Sequence, residues 1–226
     1  MSSTADPLPL ILFSGLAADA SVFAPQKLAF PQLVVPRWLK PERRETLTSY
    51  CERVAAEIRP NTRCVLGGAS FGGIIALEMA QYLNPLAVVL IGSVRGPSEL
   101  PRRVCFWRPF RSLVPLAPVT PFQWSAGKVS LLQQWWPHFA GVARQFSQAD
   151  ADVFRWSVRQ LLAWQNAPVV DCPVFQIHGQ FDRVLPARLT RPDVVVPGGH
   201  VISLTHSQAV NEFLRHSLQQ VARADG

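Results

Sequence analysis

"CVLGGASFGG", Cys64 to Gly73, sets four glycines around one serine. An apolar run, Cys64–Gly67, leads in, and Ile74-Ile75-Ala76-Leu77 leads out. A buried strand that turns at once into a helix has this pattern. Within it Gly68-Ala69-Ser70-Phe71-Gly72 fits G-x-S-x-G. A serine on so sharp a turn is pushed into strained backbone angles. Side chains two residues before and after it would collide, and glycine at 68 and 72 removes the collision. The turn lifts the hydroxyl clear of the sheet and aims a helix N-terminus at the same place, which favours developing negative charge. A glycine-rich turn with no chemistry would share the pattern, so partners for Ser70 have to be sought elsewhere in the chain.

Working outward, six short runs read as strands: Leu8–Phe13, Leu33–Pro36, Cys64–Gly67, Leu86–Ile91, Pro173–Ile177 and Val194–Val196. Most are continuously apolar, which suits parallel strands buried on both faces. Helical spacing lies between them. "TLTSYCERVAAEIR" repeats Leu47, Tyr50, Cys51, Val54, Ala55 and Ile58 and stops at Pro60. "IIALEMAQYL" stops at Asn84-Pro85, and "SQAVNEFLRHSLQQVA" puts Ala209, Phe213, Leu214 and Leu218 on one face near the end of the chain. Strand–helix alternation predicts an α/β fold, a doubly wound and mostly parallel sheet of about six strands.

The alternation breaks between Arg95 and Asn166. This stretch holds Trp107, Trp124, Trp135, Trp136, Trp156 and Trp164, six of the seven tryptophans. Its first part is rich in proline, and its last part reads as a helix with Ser147 as N-cap. It is expected to be a helical lid, residues 95–166, inserted into a core made of 1–94 and 167–226. Nine arginines and lysines against Glu99, Asp150 and Asp152 give it +6 of the chain's +7. That charge suits a solvated lid surface, or an acidic ligand or anionic membrane surface. No nucleic-acid-binding motif accompanies it.

The chain's 226 residues are 48% hydrophobic and 16% charged, the balance of a compact globular protein. Cys51, Cys64, Cys105 and Cys172 form no C-x-x-C, so reduced thiols are expected and a zinc or redox site is not. The opening "LPLILFSGLAADA" faintly resembles a signal peptide, but no Lys or Arg precedes it. No run approaches the ~18 apolar residues of a membrane span. The expectation is a cytoplasmic protein with no transmembrane segment.

A serine hydroxyl needs a base. Of five histidines, His200 in "VVVPGGHVISL" follows the last strand, at the same sheet edge as Ser70. Open α/β sheets build their sites at that edge. "VFQIHGQFDRVLP" supplies Asp182 just after the preceding strand, whereas Asp171 and Asp193 precede strands and fall at the wrong end. His178 ends a strand and is expected to hydrogen-bond backbone.

The order Ser70, Asp182, His200 resembles the α/β-hydrolase fold superfamily. The resemblance runs from about Leu8 to the C-terminus and rests on the G-x-S-x-G turn, the "IHGQFDRVLP" loop and the "GGH" loop. It implies Ser70 as nucleophile, His200 as base and Asp182 as the acid that holds the His200 tautomer. It also implies an oxyanion hole from the backbone N–H groups of Phe71 and Leu16. Many relatives have His-Gly before the second donor; here the pair is Ser14-Gly15, which leaves the bracing of that loop unexplained. The two leading antiparallel strands usual in the fold are not expected here, so the sheet should be small.

The implied activity is hydrolysis of an ester or thioester of a small to medium, largely apolar carboxylic acid through an acyl-enzyme. Candidate substrate-binding residues are the lid tryptophans Trp107, Trp124, Trp135, Trp136 and Trp156, which could equally be lid core. No cofactor, metal or nucleic acid is implied, only a small-molecule substrate. Two other readings stay open: a ligand sensor or signalling partner that uses the pocket without turnover, and an acyltransferase or carbon–carbon bond hydrolase that uses the same three residues.

Overall fold

A computed structural model of the chain describes residues 8–16, 18–59, 63–116 and 150–225. Its centre is a six-stranded, all-parallel sheet: β1 (Leu10–Phe13), β2 (Leu33–Val34), β3 (Val65–Ala69), β4 (Ala87–Ile91), β5 (Val174–Gly179) and β6 (Val194–Val196). Their order is β2-β1-β3-β4-β5-β6. All six expected runs form strands, with ends moved by up to two residues. Every residue of β1, β3 and β4 is buried, because helices cover both faces.

Alternate residues serve opposite faces. Ile11 and Phe13 of β1 pack with α2 (Leu47–Ile58) and α3 (Phe71–Leu83), whereas Leu10 and Leu12 pack with α1 (Ala24–Ala29) and the C-terminal helix. The α3 helix is buried almost all round through Ala80, so it starts from the middle of the sheet rather than from its rim.

The chain winds outward from β1 to β2, then crosses back over β1 to β3 and continues to β6. The loops after β1 and β3 therefore diverge to opposite faces at adjacent strand ends, which opens a crevice there. Ser14–Leu16 and Ser70 stand at that crevice.

Between β4 and β5 the described residues include α4 (Arg102–Trp107), a 3₁₀ segment (Arg108–Leu116) and α5 (Ala151–Ala163). The cap of α5 is Asp150, whose carboxylate accepts from the N–H groups of Asp152 and Val153. The expected cap, Ser147, lies outside the described residues, as do Trp124, Trp135 and Trp136. Two further helices, α6 (Ile202–Thr205) and α7 (Ser207–Asp225), follow β6. Among the described residues no helix is long and apolar enough to cross a membrane. All four cysteines are free thiols, Cys51 and Cys64 buried and the other two half-buried.

Candidate active site

Ser70 sits between the last residue of β3 and the first of α3, with φ 54° and ψ −123°. A non-glycine residue at positive φ is strained and persists only where its surroundings fix it. They do so here. The Ser70 N–H donates to Ile91 O at 3.1 Å, and its carbonyl accepts from Ser93 Oγ at 2.6 Å and from Gly73 N at 3.0 Å. The flanking glycines are demanded by close approach. A Cβ on Gly68 would stand 2.3 Å from the Gly72 carbonyl carbon, and one on Gly72 2.1 Å from Phe13 O. No side chain fits where β1, β3 and α3 converge.

His200 lies in the loop between β6 and α6. Its Nε2 is 2.9 Å from Ser70 Oγ, and its Nδ1 is 2.7 Å from Asp182 Oδ2. The structure thus joins three residues spread over 130 positions of sequence in one hydrogen-bonded chain. The carboxylate fixes the tautomer: it accepts from Nδ1–H, which leaves Nε2 with a lone pair aimed at the serine hydroxyl.

Asp182 is buried beneath His200. Its Oδ1 accepts from the N–H groups of Val184 (2.7 Å) and Leu185 (2.9 Å). Burial pushes the carboxyl upward, but hydrogen bonds from His178 and His200 and the backbone donors outweigh it and hold the group well below the usual carboxylate range. The acid and base loops are joined by backbone: Phe181 N donates to Gly198 O at 2.9 Å, and Gln180 N to Val196 O at 2.8 Å. Of the other carboxylates that precede these strands, Asp193 accepts from Gln176 N and Arg95, and Asp171 is exposed before β5.

Ser70 and His200 open onto a cavity of about 290 Å³. Leu16, Ala69, Phe71, Ile74 and Ile91 line it from the core, Val184 and Leu185 from the acid loop, and Val104 and Leu161 from α4 and α5. Arg103 joins the lining, its guanidinium held by the carbonyls of Arg183 and Val184. No carboxylate pairs with Arg103 among the described residues.

The tryptophans take other places. Trp156 packs on Tyr50 at 4.4 Å between ring centres and donates Nε1–H to Glu45 O. Trp107 meets Phe106 and Phe110 edge to face beside a neighbouring apolar groove. Neither lines the cavity at Ser70, where the aliphatic Val104 and Leu161 stand instead.

The seventh tryptophan supplies the brace of the loop that carries Leu16. Trp38 Nε1 donates to Ser14 Oγ at 2.9 Å, and Ser14 Oγ donates to Ala18 O at 2.8 Å. The Trp38 ring also stacks on Phe71, with centres 6.0 Å apart. Ser14 and Trp38 thus tie the loop carrying Leu16 to the residue after Ser70. The one signal in the sequence was Ser14 itself, standing where relatives carry histidine. Among the described residues no three His, Cys, Asp or Glu side chains are grouped to hold a metal ion.

A model of the alpha/beta hydrolase family matches residues 6–213. A thioesterase of Alternaria alternata is 30% identical over 132 residues, covering 54% of this chain and 49% of that protein. The chain thus matches about half the length of that curated relative. Among solved structures, an esterase from Thermogutta terrifontis aligns with TM-score 0.72 at 17% identity, over 95% of this chain and 90% of its own. The enol-lactonase from Burkholderia xenovorans LB400 aligns with TM-score 0.71 at 15% identity, over 94% and 92%. At such identities the likeness is one of fold.

Proposed function

The chain belongs to the alpha/beta hydrolase family, and from that premise we propose that it is a serine hydrolase that cleaves an ester or thioester through an acyl-enzyme. The observation that carries this is the Ser70–His200–Asp182 chain, with bonds of 2.9 and 2.7 Å, opening onto an apolar cavity. Ser70 Oγ attacks the acyl carbonyl carbon while His200 Nε2 takes its proton. Asp182 holds the imidazolium that forms without itself taking the proton. The backbone N–H groups of Phe71 and Leu16 receive the oxyanion. Phe71 N–H belongs to the first turn of α3, where helix N–H groups have no intrahelical acceptor. His200 then protonates the departing alcohol or thiol. Water, deprotonated by the same nitrogen, releases the acid and restores Ser70.

A cavity of about 290 Å³ with mostly aliphatic walls suits the acyl part of a small to medium, largely apolar acid. Thioesterase, esterase and enol-lactonase, the names its relatives bear, all fit acyl transfer to water. Residues 95–166 act as the cap: Arg103, Val104 and Leu161 come from this stretch and close one side of the cavity.

A panel of p-nitrophenyl esters and matching thioesters of rising acyl length tests the reading. The wild type is expected to turn them over, with kcat/KM passing through a maximum as the acyl chain fills the cavity. Ser70→Ala is expected at background. Flat, negligible rates across the panel for folded wild-type protein would contradict it.

A further inference from the structure

We propose that His178 is a positioning residue of this site, whose Nε2–H holds the same carboxylate oxygen that His200 grips. This rests on the serine-hydrolase reading above. His178 belongs to β5, and its side chain is wholly buried. As the sequence suggested, it bonds backbone: Nε2 is 2.6 Å from Leu185 O. It also does more, because Nε2 lies 3.2 Å from Asp182 Oδ2.

The proton's place follows from the partners. A carbonyl can only accept, so Nε2 carries the hydrogen and donates it to Leu185 O, while Asp182 Oδ2 stands 3.2 Å from the same nitrogen, on the positive edge of the ring. Nδ1 has no hydrogen-bond partner among the described residues. A bare acceptor costs less there than a buried N–H facing nothing, so the ring is the neutral Nε2–H tautomer.

Asp182 then receives three hydrogen bonds, from Val184 N and Leu185 N on Oδ1 and from His200 on Oδ2, with His178 Nε2 in contact with Oδ2 as well. The carboxylate plane cannot turn without breaking some of them. His178 and Asp182 also tie both backbone groups of Leu185, which lines the cavity. One buried ring therefore fixes the acid's orientation and the cavity wall together. The titratable side chains acting on Asp182 among the described residues are these two histidines. On the β4 side Gly92 faces the carboxylate, where a Cβ would stand 3.9 Å from Asp182 Oδ2.

The test compares His178→Phe, which keeps a ring and loses the donor, with His178→Gln, whose amide N–H reaches about as far as Nε2. Each is measured by fluorophosphonate inactivation and by the pH profile of kcat/KM on a p-nitrophenyl ester. The Phe variant is expected to lose roughly tenfold to a hundredfold in kcat and inactivation rate with KM little changed. Its acid limb is expected to move to higher pH, because a carboxylate with one donor fewer holds the His200 imidazolium more tightly. The Gln variant is expected to recover most of the rate and the limb. Should the Phe variant not fold, His178→Asn, whose shorter amide falls short of Oδ2, takes its place. Wild-type rate and limb in the folded Phe or Asn variant would overturn the proposal. So would a Gln variant damaged as much as Phe, the result expected of a merely structural ring. Wild type that resists the probe altogether would instead remove the serine-hydrolase reading beneath it.

Discussion

Ser70 sits at φ 54° because Ile91, Ser93 and Gly73 hold its backbone there, and that strain puts its hydroxyl within 2.9 Å of His200. Asp182 is the charged end of the same chain, and its depressed titration has a consequence for stability. A carboxyl held below its unfolded value, about 3.9, contributes stability that is complete above that pH. The contribution is lost as pH falls through the lower folded value. Asp182→Asn faces the N–H groups of both histidines with a donor of its own, so it is expected to unfold earlier than wild type at pH 7. Urea titrations at falling pH are expected to show the gap closing below about pH 4; a gap unchanged down to pH 3 would contradict this assignment. At this scale much was legible in the sequence. Ser70, Asp182 and His200 each follow a strand at its C-terminal end, so local pattern placed them at one edge. Trp38 was not legible, because its bond to Ser14 spans 24 positions and depends on where an irregular loop runs.

The elements that frame the site are joined by polar contacts inside an otherwise apolar packing. Glu78, on α3, is buried and accepts from Trp164 Nε1 at 2.9 Å, just past the end of α5. Burial pushes this carboxyl up, and the Trp164 bond only partly opposes it. An acid raised above its unfolded value, about 4.3, weakens the fold increasingly as pH rises past that value. Glu78→Gln keeps an acceptor for Trp164 and discards the charge. It is expected to raise Tm at pH 7 to 8 by roughly 2–4 °C, the effect of about 1 kcal/mol in a chain of this size. The gain is expected to vanish below about pH 4; a lower Tm in the variant at pH 7 would show that the Glu78 charge does not weaken the fold. Helical spacing revealed α2, α3, α5 and α7. It did not reveal that Gln160 of α5 accepts from Leu47 N at the start of α2, since that bond joins helices 113 positions apart.

Across the whole molecule, continuous apolar runs betrayed a parallel sheet, while the crossing of β1 that opens the crevice had no local signature in the sequence. The charge of +7 was legible as a total; its meaning depends on Arg103, which stands on the cavity wall among aliphatic side chains. That placement predicts a preference for acyl groups ending in an anion. The ratio of kcat/KM for p-nitrophenyl hemiglutarate to that for p-nitrophenyl valerate is expected to fall severalfold in Arg103→Met. In wild type it is also expected to fall as ionic strength rises from about 0.02 to about 0.5 M, where screening shortens to a few ångströms. A ratio indifferent to both would leave Arg103 with only its structural bonds to the acid loop.

If Ser70 is a nucleophile activated by His200, it reacts covalently with an electrophilic phosphorus centre. Folded protein is treated with a fluorophosphonate probe, digested, and the adduct located by mass spectrometry. A single adduct is expected on Ser70, absent in Ser70→Ala and formed far more slowly in His200→Ala. Folded wild-type protein that takes no label, or takes it at another residue, would contradict it.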